Sequence, residues 1–269
     1  MIPLDLSDRV ALITGGTRGI GHATALQLGL AGARVYVTHK WGSVDEEELR
    51  REFDLAGAKP PAILEADVSI DEDTDNLLEK IAENESGIDI FVSNVGFAPQ
   101  VNTLEDYKKR SFFKTIEYSS WPLVEYTKRI KKRFGAYPRN VVGISSDGPD
   151  HYYRGYDFVS AAKALLEHFA RYLAVHLLPS DSRVNILRFG TVKTDSFDAI
   201  FGKDFFDFLR SEGLPESLVL DPVECGKAVL ALCSGLMNAV NGQIITVDFG
   251  LPFQDNLMMR YLKSKERSG

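Results

Sequence analysis

The sequence is poor in cysteine and contains no long apolar run, and both shortages exclude classes of protein. Cys225 and Cys233 are the only two cysteines among 269 residues, and they have no metal-ligand partners nearby, so we expect reduced packing residues and no metal site. No window approaches the roughly 20 apolar residues of a membrane span. Residues 1–6 lack the basic and apolar regions of a signal peptide. These features predict a soluble, cytoplasmic protein with no membrane partner.

Positive charge is also in short supply. The chain has 31 Lys and Arg residues against 38 Asp and Glu residues, a formal net charge of −7. This balance argues against nucleic acid as a partner, because a nucleic-acid backbone needs a basic surface. A hydrophobic content of 44% and a charged content of 26% are ordinary for a globular chain. An acidic protein still has room for a local basic pocket that binds a phosphorylated cofactor.

Short β-branched runs alternate with longer amphipathic stretches along most of the chain. This pattern predicts strand–helix–strand units, and strands that are apolar throughout belong in a parallel sheet buried on both faces. The predicted strands are 9–14, 34–38, 62–66, 88–93, 140–145, 182–189 and 243–247, and the predicted helices are 20–31, 45–56, 71–83, 107–134, 158–178 and 222–234. We therefore predict an α/β fold with a doubly wound, seven-stranded parallel sheet flanked by helices. It forms a single domain over residues 1–262, with a flexible tail at 263–269.

A glycine-rich segment directly follows the first predicted strand and opens the first predicted helix. Residues 14–21 read Thr-Gly-Gly-Thr-Arg-Gly-Ile-Gly. The glycines allow a tight turn and a close approach of the backbone to a pyrophosphate, and the helix N-terminus adds free N–H groups and a positive dipole. The segment therefore predicts a dinucleotide site. Its predicted binding residues are Gly15, Thr17, Arg18, Gly19, Ile20 and Gly21.

This form of the glycine loop resembles that of the short-chain dehydrogenase/reductase superfamily, whose members have a Rossmann-type fold and bind a nicotinamide cofactor. The resemblance covers nearly the whole chain. Two positions depart from the superfamily's pattern: Ser93 replaces the first Asn of the motif after the fourth strand, and Phe189 replaces the usual proline before the nicotinamide segment. The further cofactor contacts that the resemblance implies are Asp67, Val68, Asn94, Gly96, Gly190, Val192 and Thr194.

The end of the second predicted strand distinguishes NADPH from NADH. A carboxylate there would bind the ribose 2′-hydroxyl and repel a 2′-phosphate, but this segment carries His39 and Lys40 and no acid. With Arg18 in the glycine loop, three potential cations are available to a 2′-phosphate. The sequence therefore predicts NADPH (NADP+) as the cofactor. The alternative is that Arg18 and Lys40 are only solvated surface charges.

The catalytic residues of the superfamily match this chain with one exception. In the superfamily, a proton-donating tyrosine lies four residues before a lysine that holds the cofactor ribose, and a serine lies upstream. Lys163 is the matching lysine and Ser146 the matching serine, but Val159 occupies the tyrosine position and cannot donate a proton. Tyr156 lies seven residues before Lys163, nearly two helical turns, and would share a helix face with it. The predicted catalytic residues are therefore Tyr156, Lys163 and Ser146.

The displaced tyrosine indicates a change of reaction. Three residues along a helix are roughly 4.5 Å, which moves the phenol away from the nicotinamide. In an enoyl thioester, hydride goes to the β-carbon and negative charge collects on an oxygen further off, so its proton donor must also lie further away. The Tyr-x6-Lys spacing resembles the FabL/FabI-type enoyl-acyl-carrier-protein reductases. That resemblance also implies a second active-site tyrosine, Tyr152; His151 and Tyr153 in the same loop are open alternatives.

Residues 195–220 correspond to the superfamily's mobile substrate loop and are rich in phenylalanine. The residues in question are Phe197, Phe201, Phe205, Phe206 and Phe208. An aromatic lid over an apolar acyl chain or a ring system is one interpretation, and ordinary helix packing is the other.

Together these patterns predict an NADPH-dependent reductase. Its predicted substrate is the C=C bond of an α,β-unsaturated acyl thioester, free or on acyl carrier protein, in fatty-acid or polyketide biosynthesis. Two alternatives remain open: a carbonyl reductase of a specialised biosynthetic pathway, and a non-catalytic NADP-binding protein. The resemblance implies a homotetramer or homodimer formed through helices 107–134 and 158–178.

Overall fold

The strands of the chain form one parallel sheet of seven strands. The structure is a computed structural model and describes residues 4–40, 45–212 and 215–254, together with Met258 and Lys265. In chain order, the strands are β1 (Val10–Ile13), β2 (Arg34–His39), β3 (Ala62–Glu65), β4 (Ile90–Ser93), β5 (Asn140–Ser146), β6 (Arg183–Phe189) and β7 (Ile244–Val247). Their order in the sheet is β3-β2-β1-β4-β5-β6-β7. This confirms the predicted doubly wound α/β fold.

Helices cover both faces of the sheet. In chain order, they are α1 (Gly19–Leu30), α2 (Glu46–Ala56), α3 (Asp71–Ala82), α4 (Lys109–Ser119), α5 (Trp121–Phe134), α6 (Asp157–Leu177), α7 (Asp195–Phe201), α8 (Phe205–Ser211), α9 (Pro222–Cys233) and α10 (Leu251–Gln254). Short 3-10 turns lie at Leu104–Asp106, Leu178–Ser180 and Glu216–Leu218. The predicted substrate loop at 195–220 therefore contains two short helices, α7 and α8.

Alternate side chains of each central strand enter different cores. Ala11 and Ile13 pack in the core beneath α1 and α9, whereas Val10 and Leu12 pack in the core beneath α3, α5 and α6. Because successive side chains of a strand point to opposite faces, a strand covered on both sides needs apolar residues at every position. This explains why β1 reads Val-Ala-Leu-Ile without alternation.

The segment predicted as one helix over 107–134 is two helices, and the break lies where the Trp121–Pro122 pair predicts it. α4 ends at Ser119 and α5 begins at Trp121. Pro122 lies in the first turn of α5, where a missing N–H costs nothing. The Ser120 hydroxyl, between the two helices, donates to the backbone carbonyl of Ala162 at 2.7 Å. The break therefore anchors the start of α5 to the middle of α6.

The two cysteines are buried free thiols in α9, and burial raises the pKa of each to about 12. Both pack in the core beneath α1 and α9, as predicted for packing residues. Within the described part of the chain, no helix is both long and apolar enough to cross a bilayer. The predicted flexible tail at 263–269 lies outside the described residues, apart from Lys265.

The chain reverses its direction of winding at β1. The sheet runs from β1 through β2 to β3 on one side and from β4 to β7 on the other. The connections that leave the carboxyl ends of β1 and β4 therefore diverge and open a crevice, the position at which doubly wound folds bind their ligands. The candidate site residues lie along this edge.

Candidate active site

The glycine loop between β1 and α1 has the backbone of a phosphate cradle. Gly15 and Gly19 have φ values of +63° and +55°, in the left-handed region that favours glycine. A Cβ at Gly21 would lie 2.6 Å from Nδ2 of Asn94 and closer still to the carbonyl oxygen of Gly15. No side chain caps the N-terminus of α1, so its first N–H groups are directed at the crevice and fit a pyrophosphate. The same turn carries Thr17, Arg18 and Ile20.

Asn94 holds the glycine loop in place through hydrogen bonds to its backbone. Its Nδ2 donates to the carbonyl oxygens of Thr14 and Gly15 at 3.0 and 3.1 Å, and its backbone N–H donates to the Thr14 hydroxyl at 3.1 Å. The Thr38 hydroxyl at the end of β2 accepts from the N–H of Gly15 at 3.2 Å. The amide of Asn94, predicted as a cofactor contact, is therefore committed to the loop backbone.

At the end of the crevice where the adenosine is predicted to bind, a buried carboxylate already forms an ion pair. Asp67 is 2% exposed and forms an ion pair with Lys40. It also accepts from the Tyr118 hydroxyl at 3.0 Å and from the N–H of Ser69 at 2.9 Å. The structure thus brings together the cation predicted for the 2′-phosphate and the acid predicted for the adenine ring. Val68, buried, and His39, partly buried, complete this end.

The predicted nicotinamide segment follows β6. A Cβ at Gly190 would lie 2.8 Å from Cβ of Asp248, so only glycine fits where β6 passes the end of β7. Val192 is bridged to Leu220, the last residue of the substrate loop. The Thr194 hydroxyl oxygen accepts from the first turn of α7 at 3.2 Å. The segment is therefore joined to both ends of the substrate loop.

The carboxyl end of β5 gathers the predicted catalytic residues. Lys163 Nζ donates to the carbonyl oxygen of Ile144 at 2.7 Å, and the Tyr156 hydroxyl donates to Oγ of Ser146 at 3.2 Å. Lys163 Nζ also lies 3.5 Å from where a Cβ would stand at Gly96, after β4. The structure brings Tyr156, Ser146 and Lys163 to one edge of the crevice, next to the predicted cofactor contact Gly96.

Tyr156 does not reach this edge in the way that helical spacing predicts. α6 begins at Asp157, and Tyr156 is its N-cap residue, with φ of −102° and ψ of 6°. Only Lys163 and Val159 lie on the helix itself. The expectation that Tyr156 and Lys163 share a helix face two turns apart is therefore wrong; their meeting point is the end of β5.

Burial shifts the pKa of both groups. Burial lowers the pKa of Lys163 to about 8, and the charge of Glu167 opposes this shift. Burial raises the pKa of the Tyr156 phenol; its hydrogen bond with Ser146 lowers this pKa, and the charge of Asp147 raises it. Near neutral pH, Tyr156 therefore keeps a proton that it can donate, and Lys163 is largely an ammonium ion.

In the structure Tyr153, and not the predicted Tyr152, packs beside Tyr156. The Tyr152 side chain is 84% exposed, whereas the Tyr153 hydroxyl donates to Asp147 at 2.7 Å and its ring packs edge-on against Tyr156. The resemblance alone implies Tyr152, and this part of the chain lies before α6 begins. A turn, in which the Tyr156 N–H donates to the Tyr153 carbonyl at 3.1 Å, sets the geometry instead. His151, the other alternative, is exposed.

Phenylalanines of the substrate loop cover these tyrosines. The centroid of Phe201 lies 5.9 Å from each of the rings of Tyr153 and Tyr156. Phe197 packs on both Phe201 and Phe205 at 4.9 Å. Of the five phenylalanines, Phe201 therefore packs its ring against the phenols, and Phe197 and Phe205 pack behind it, which is consistent with the lid interpretation. Outside this chain of contacts to the tyrosines lie Phe206 and Phe208.

The sequence did not predict a buried ion pair that lies beside Lys163. Glu167 on α6 and Arg188 on β6 are joined by two hydrogen bonds, and Arg188 also contacts Asp150 in the loop before α6. A charged residue within the otherwise apolar run Ile-Leu-Arg-Phe was the signal that could have revealed it.

The phosphate cradle, the crevice and the lysine–tyrosine edge together define a nicotinamide-dependent oxidoreductase of the dinucleotide-binding α/β class. A family model described as enoyl-(acyl carrier protein) reductase matches residues 15–252, which is most of the chain. The chain belongs to this family of the short-chain dehydrogenase/reductase superfamily.

Individual relatives carry more than one activity in their names. The chain is 26% identical to the enoyl-[acyl-carrier-protein] reductase [NADH] FabI of Aquifex aeolicus, over 91% of this chain and 92% of the relative. It is 27% identical to the NADPH-dependent aldehyde reductase 2 of Arabidopsis thaliana, over 92% of this chain and 95% of the relative. A solved structure, the Pseudomonas aeruginosa RhlG/NADP active-site complex, has the same fold with a TM-score of 0.80, 24% identity and coverage of 93% and 99%. These relatives favour an enzyme over the non-catalytic alternative.

Proposed function

We propose that this protein is an NADPH-dependent reductase of the C=C bond of an α,β-unsaturated acyl thioester. The observation that carries the proposal is the position of the phenol. Val159 occupies the place of the superfamily's usual tyrosine, and Tyr156 lies seven residues before Lys163 with its hydroxyl 3.2 Å from Ser146. Because the usual position carries no proton donor, the proposal takes the Tyr156 hydroxyl, delivered by the loop before α6, as the donor to an oxygen that lies away from the carbon receiving hydride.

In this proposal each side chain of the crevice has a separate role in the reaction. The bound cofactor supplies hydride. Lys163 holds the cofactor ribose, and its positive charge favours the phenolate that remains after proton transfer. Tyr156 donates its proton to the thioester oxygen, where charge collects as the β-carbon is reduced. Ser146 fixes the direction of the Tyr156 hydroxyl, and Phe201 keeps water from the phenol, which strengthens each electrostatic interaction there.

NADPH is the proposed form of the cofactor. β2 ends without the carboxylate that would bind a free 2′-hydroxyl, and Lys40 lies at that end with its ammonium on Asp67. Arg18 and the imidazole of His39 are the other basic groups proposed for the adenosine end. The Aquifex relative's name states NADH and the Arabidopsis relative's name states NADPH, so this chain's own residues support the assignment.

A second candidate, carbonyl reduction, draws support from the same hydrogen bond. Two hydroxyls at 3.2 Å, those of Ser146 and Tyr156, are able to donate to one carbonyl oxygen, which is the arrangement that ketone reduction needs. The Arabidopsis relative is named as an aldehyde reductase. The two candidates predict different substrates and are separated by assay.

The proposed partners are the thioester substrate, free or on acyl carrier protein, and further copies of the chain. Exposed apolar side chains on α5 and α6, namely Trp121, Tyr172 and Val175, support a homodimer or homotetramer through these helices. Light scattering after gel filtration tests the oligomer, and a monomer at micromolar concentration would contradict it.

The decisive experiment compares crotonyl-CoA with simple ketones and aldehydes in the presence of NADPH. The proposal expects cofactor oxidation with crotonyl-CoA and saturated thioester as product. Turnover of ketones alone would replace it with the second candidate.

The Tyr156→Phe variant tests the proton donor. Loss of a general acid lowers kcat by roughly 10²–10⁴-fold, while the NADPH dissociation constant should stay unchanged because the ring remains. Tyr152→Phe is the matched control, because that ring is exposed four residues earlier. Full activity in Tyr156→Phe would remove this residue from the mechanism.

A further inference from the structure

The buried ion pair of Glu167 and Arg188 lies directly beside the catalytic edge. Arg188 Nε and Nη2 donate to the two carboxylate oxygens of Glu167 at 3.0 and 2.6 Å, and the side chains are 11% and 6% exposed. The Ser145 hydroxyl adds a third hydrogen bond to Glu167 at 2.7 Å. The third nitrogen of Arg188 contacts Asp150, which is largely exposed. All of the described donors to Glu167 thus come from β5 and β6.

Burying this pair carries a cost that packing alone does not explain. Removing two charges from water costs several kcal/mol per ion, and apolar residues of similar volume are often as stable. Three consecutive residues of β5 connect the pair to the active site. The Ile144 carbonyl holds Lys163, the Ser145 hydroxyl holds Glu167, and the Ser146 hydroxyl holds Tyr156.

Lys163 and Glu167 would pair with each other if nothing prevented it. They are four residues apart on α6, a spacing at which opposite charges meet on a helix surface, and both are buried. A buried carboxylate without a partner is strongly unfavourable. Yet Lys163 donates to Ile144 on the crevice side, and the oxygens of Glu167 are occupied by Arg188 and Ser145.

We infer that Arg188 is a positioning residue that occupies Glu167 and thereby keeps the Lys163 ammonium directed into the cofactor crevice. Through Asp150 it also ties β6 to the loop that carries Tyr156. The inference rests on the role of Lys163 in the proposed function, but it is independent of which bond of the substrate is reduced. The titratable and charged groups at this edge are Glu167 on α6, Arg188 on β6, and Asp147, Asp150, Tyr153 and Tyr156 in the preceding loop.

The test uses cofactor binding without substrate, measured by NADPH fluorescence across a range of pH. In Arg188→Met, Glu167 loses its partner and captures Lys163. We expect NADPH to bind about tenfold or more weakly, since a hydrogen bond to a charged group is lost. We also expect binding to be lost at a higher pH than in the wild type, because the carboxylate now holds the proton on Lys163.

The double variant Arg188→Met with Glu167→Gln separates positioning from general damage. It removes the competitor as well, so most of the NADPH affinity should return at low pH. Its loss of binding should shift to lower pH, because no negative charge supports the Lys163 ammonium. Glu167→Gln alone should show the same downward shift. If Arg188→Met does not fold, the double variant is compared with Glu167→Gln at low pH: equal NADPH affinity is expected, because Arg188 then has no carboxylate to occupy, and a much weaker double variant would overturn the inference.

Arg129→Met is the matched control. Arg129 is 13% exposed and pairs with the buried Glu125 four residues earlier and with Asp71 and Asp75 of α3. This variant should lower the melting temperature and leave NADPH binding and its pH dependence unchanged. The inference would be overturned if Arg188→Met bound NADPH as tightly as the wild type, or if the double variant bound NADPH as weakly as Arg188→Met alone. Failure to reduce crotonyl-CoA would affect only the proposed function.

Discussion

Replacing Gly21 with alanine is a direct test of the phosphate cradle. The added Cβ would lie 2.6 Å from Nδ2 of Asn94 and closer to the Gly15 carbonyl oxygen, so both must move. Overpacking of this kind costs about 1–3 kcal/mol. The two hydrogen bonds from Asn94 to the loop contribute about 1 kcal/mol each, and alanine returns about 1 kcal/mol of helix propensity. We expect a net loss of about 2–4 kcal/mol in the free energy of unfolding.

A chain of this size should then melt about 5–10 °C lower. The loss of NADPH affinity should exceed this loss of stability, because displacing the Gly15 carbonyl and Asn94 also moves the loop and the first N–H groups of α1, which are proposed to bind the pyrophosphate. Scanning calorimetry and fluorescence titration measure the two effects on one sample. Gly87→Ala is the control, since no atom lies within 4 Å of its added Cβ. A Gly21→Ala protein that binds NADPH like the wild type would refute the assignment of this loop to the phosphates.

Four further predictions concern the cofactor, the lid and Lys163. Lys40→Met should weaken NADPH roughly tenfold, the loss of one charged contact, and leave NADH unchanged; equal losses for both cofactors would contradict NADPH specificity. Phe201→Ala should raise KM for crotonyl-CoA roughly tenfold by removing apolar contact, with little change in kcat, and an unchanged KM would exclude the lid. Lys163 is charged below its pKa of about 8, so kcat/KM should fall as pH rises through that value. Lys163→Met should weaken NADPH binding about tenfold or more, as the loss of a charged contact, yet raise the free energy of unfolding near neutral pH, because it removes a buried cation whose pKa burial lowers; a drop in stability would contradict the lowered pKa.

The sheet was predictable because each strand carries its own signal. Val10–Ile13 is apolar at every position, and only a strand buried on both faces requires this. The break in the helix over 107–134 was also predictable, since Pro122 cannot continue a helix that started upstream. Residues close together in the chain determine both the buried strand and the helix break, so both can be predicted from a single sequence.

The site was less predictable wherever it depends on where a helix begins. The resemblance implied Tyr152 and left Tyr153 open, and the residues before α6, which starts at Asp157, form a turn that places Tyr153 beside Tyr156. The partner of Arg188 was equally hidden, because Glu167 is 21 residues away in sequence and joins it only through the packing of α6 on β6. The spacing of residues within one helix or strand does not predict which residues of another element they contact.

The end of β5 explains how the proton donor is able to move along the sequence without leaving the site. Lys163 and Tyr156 are both held by β5, through the Ile144 carbonyl and the Ser146 hydroxyl, and the helix only has to deliver the lysine. The loop before α6 is then free to supply a phenol from any residue that reaches Ser146. Spacing to the lysine is therefore a consequence of the loop's path, and the reaction depends on how far the hydroxyl at Ser146 lies from the nicotinamide segment after β6.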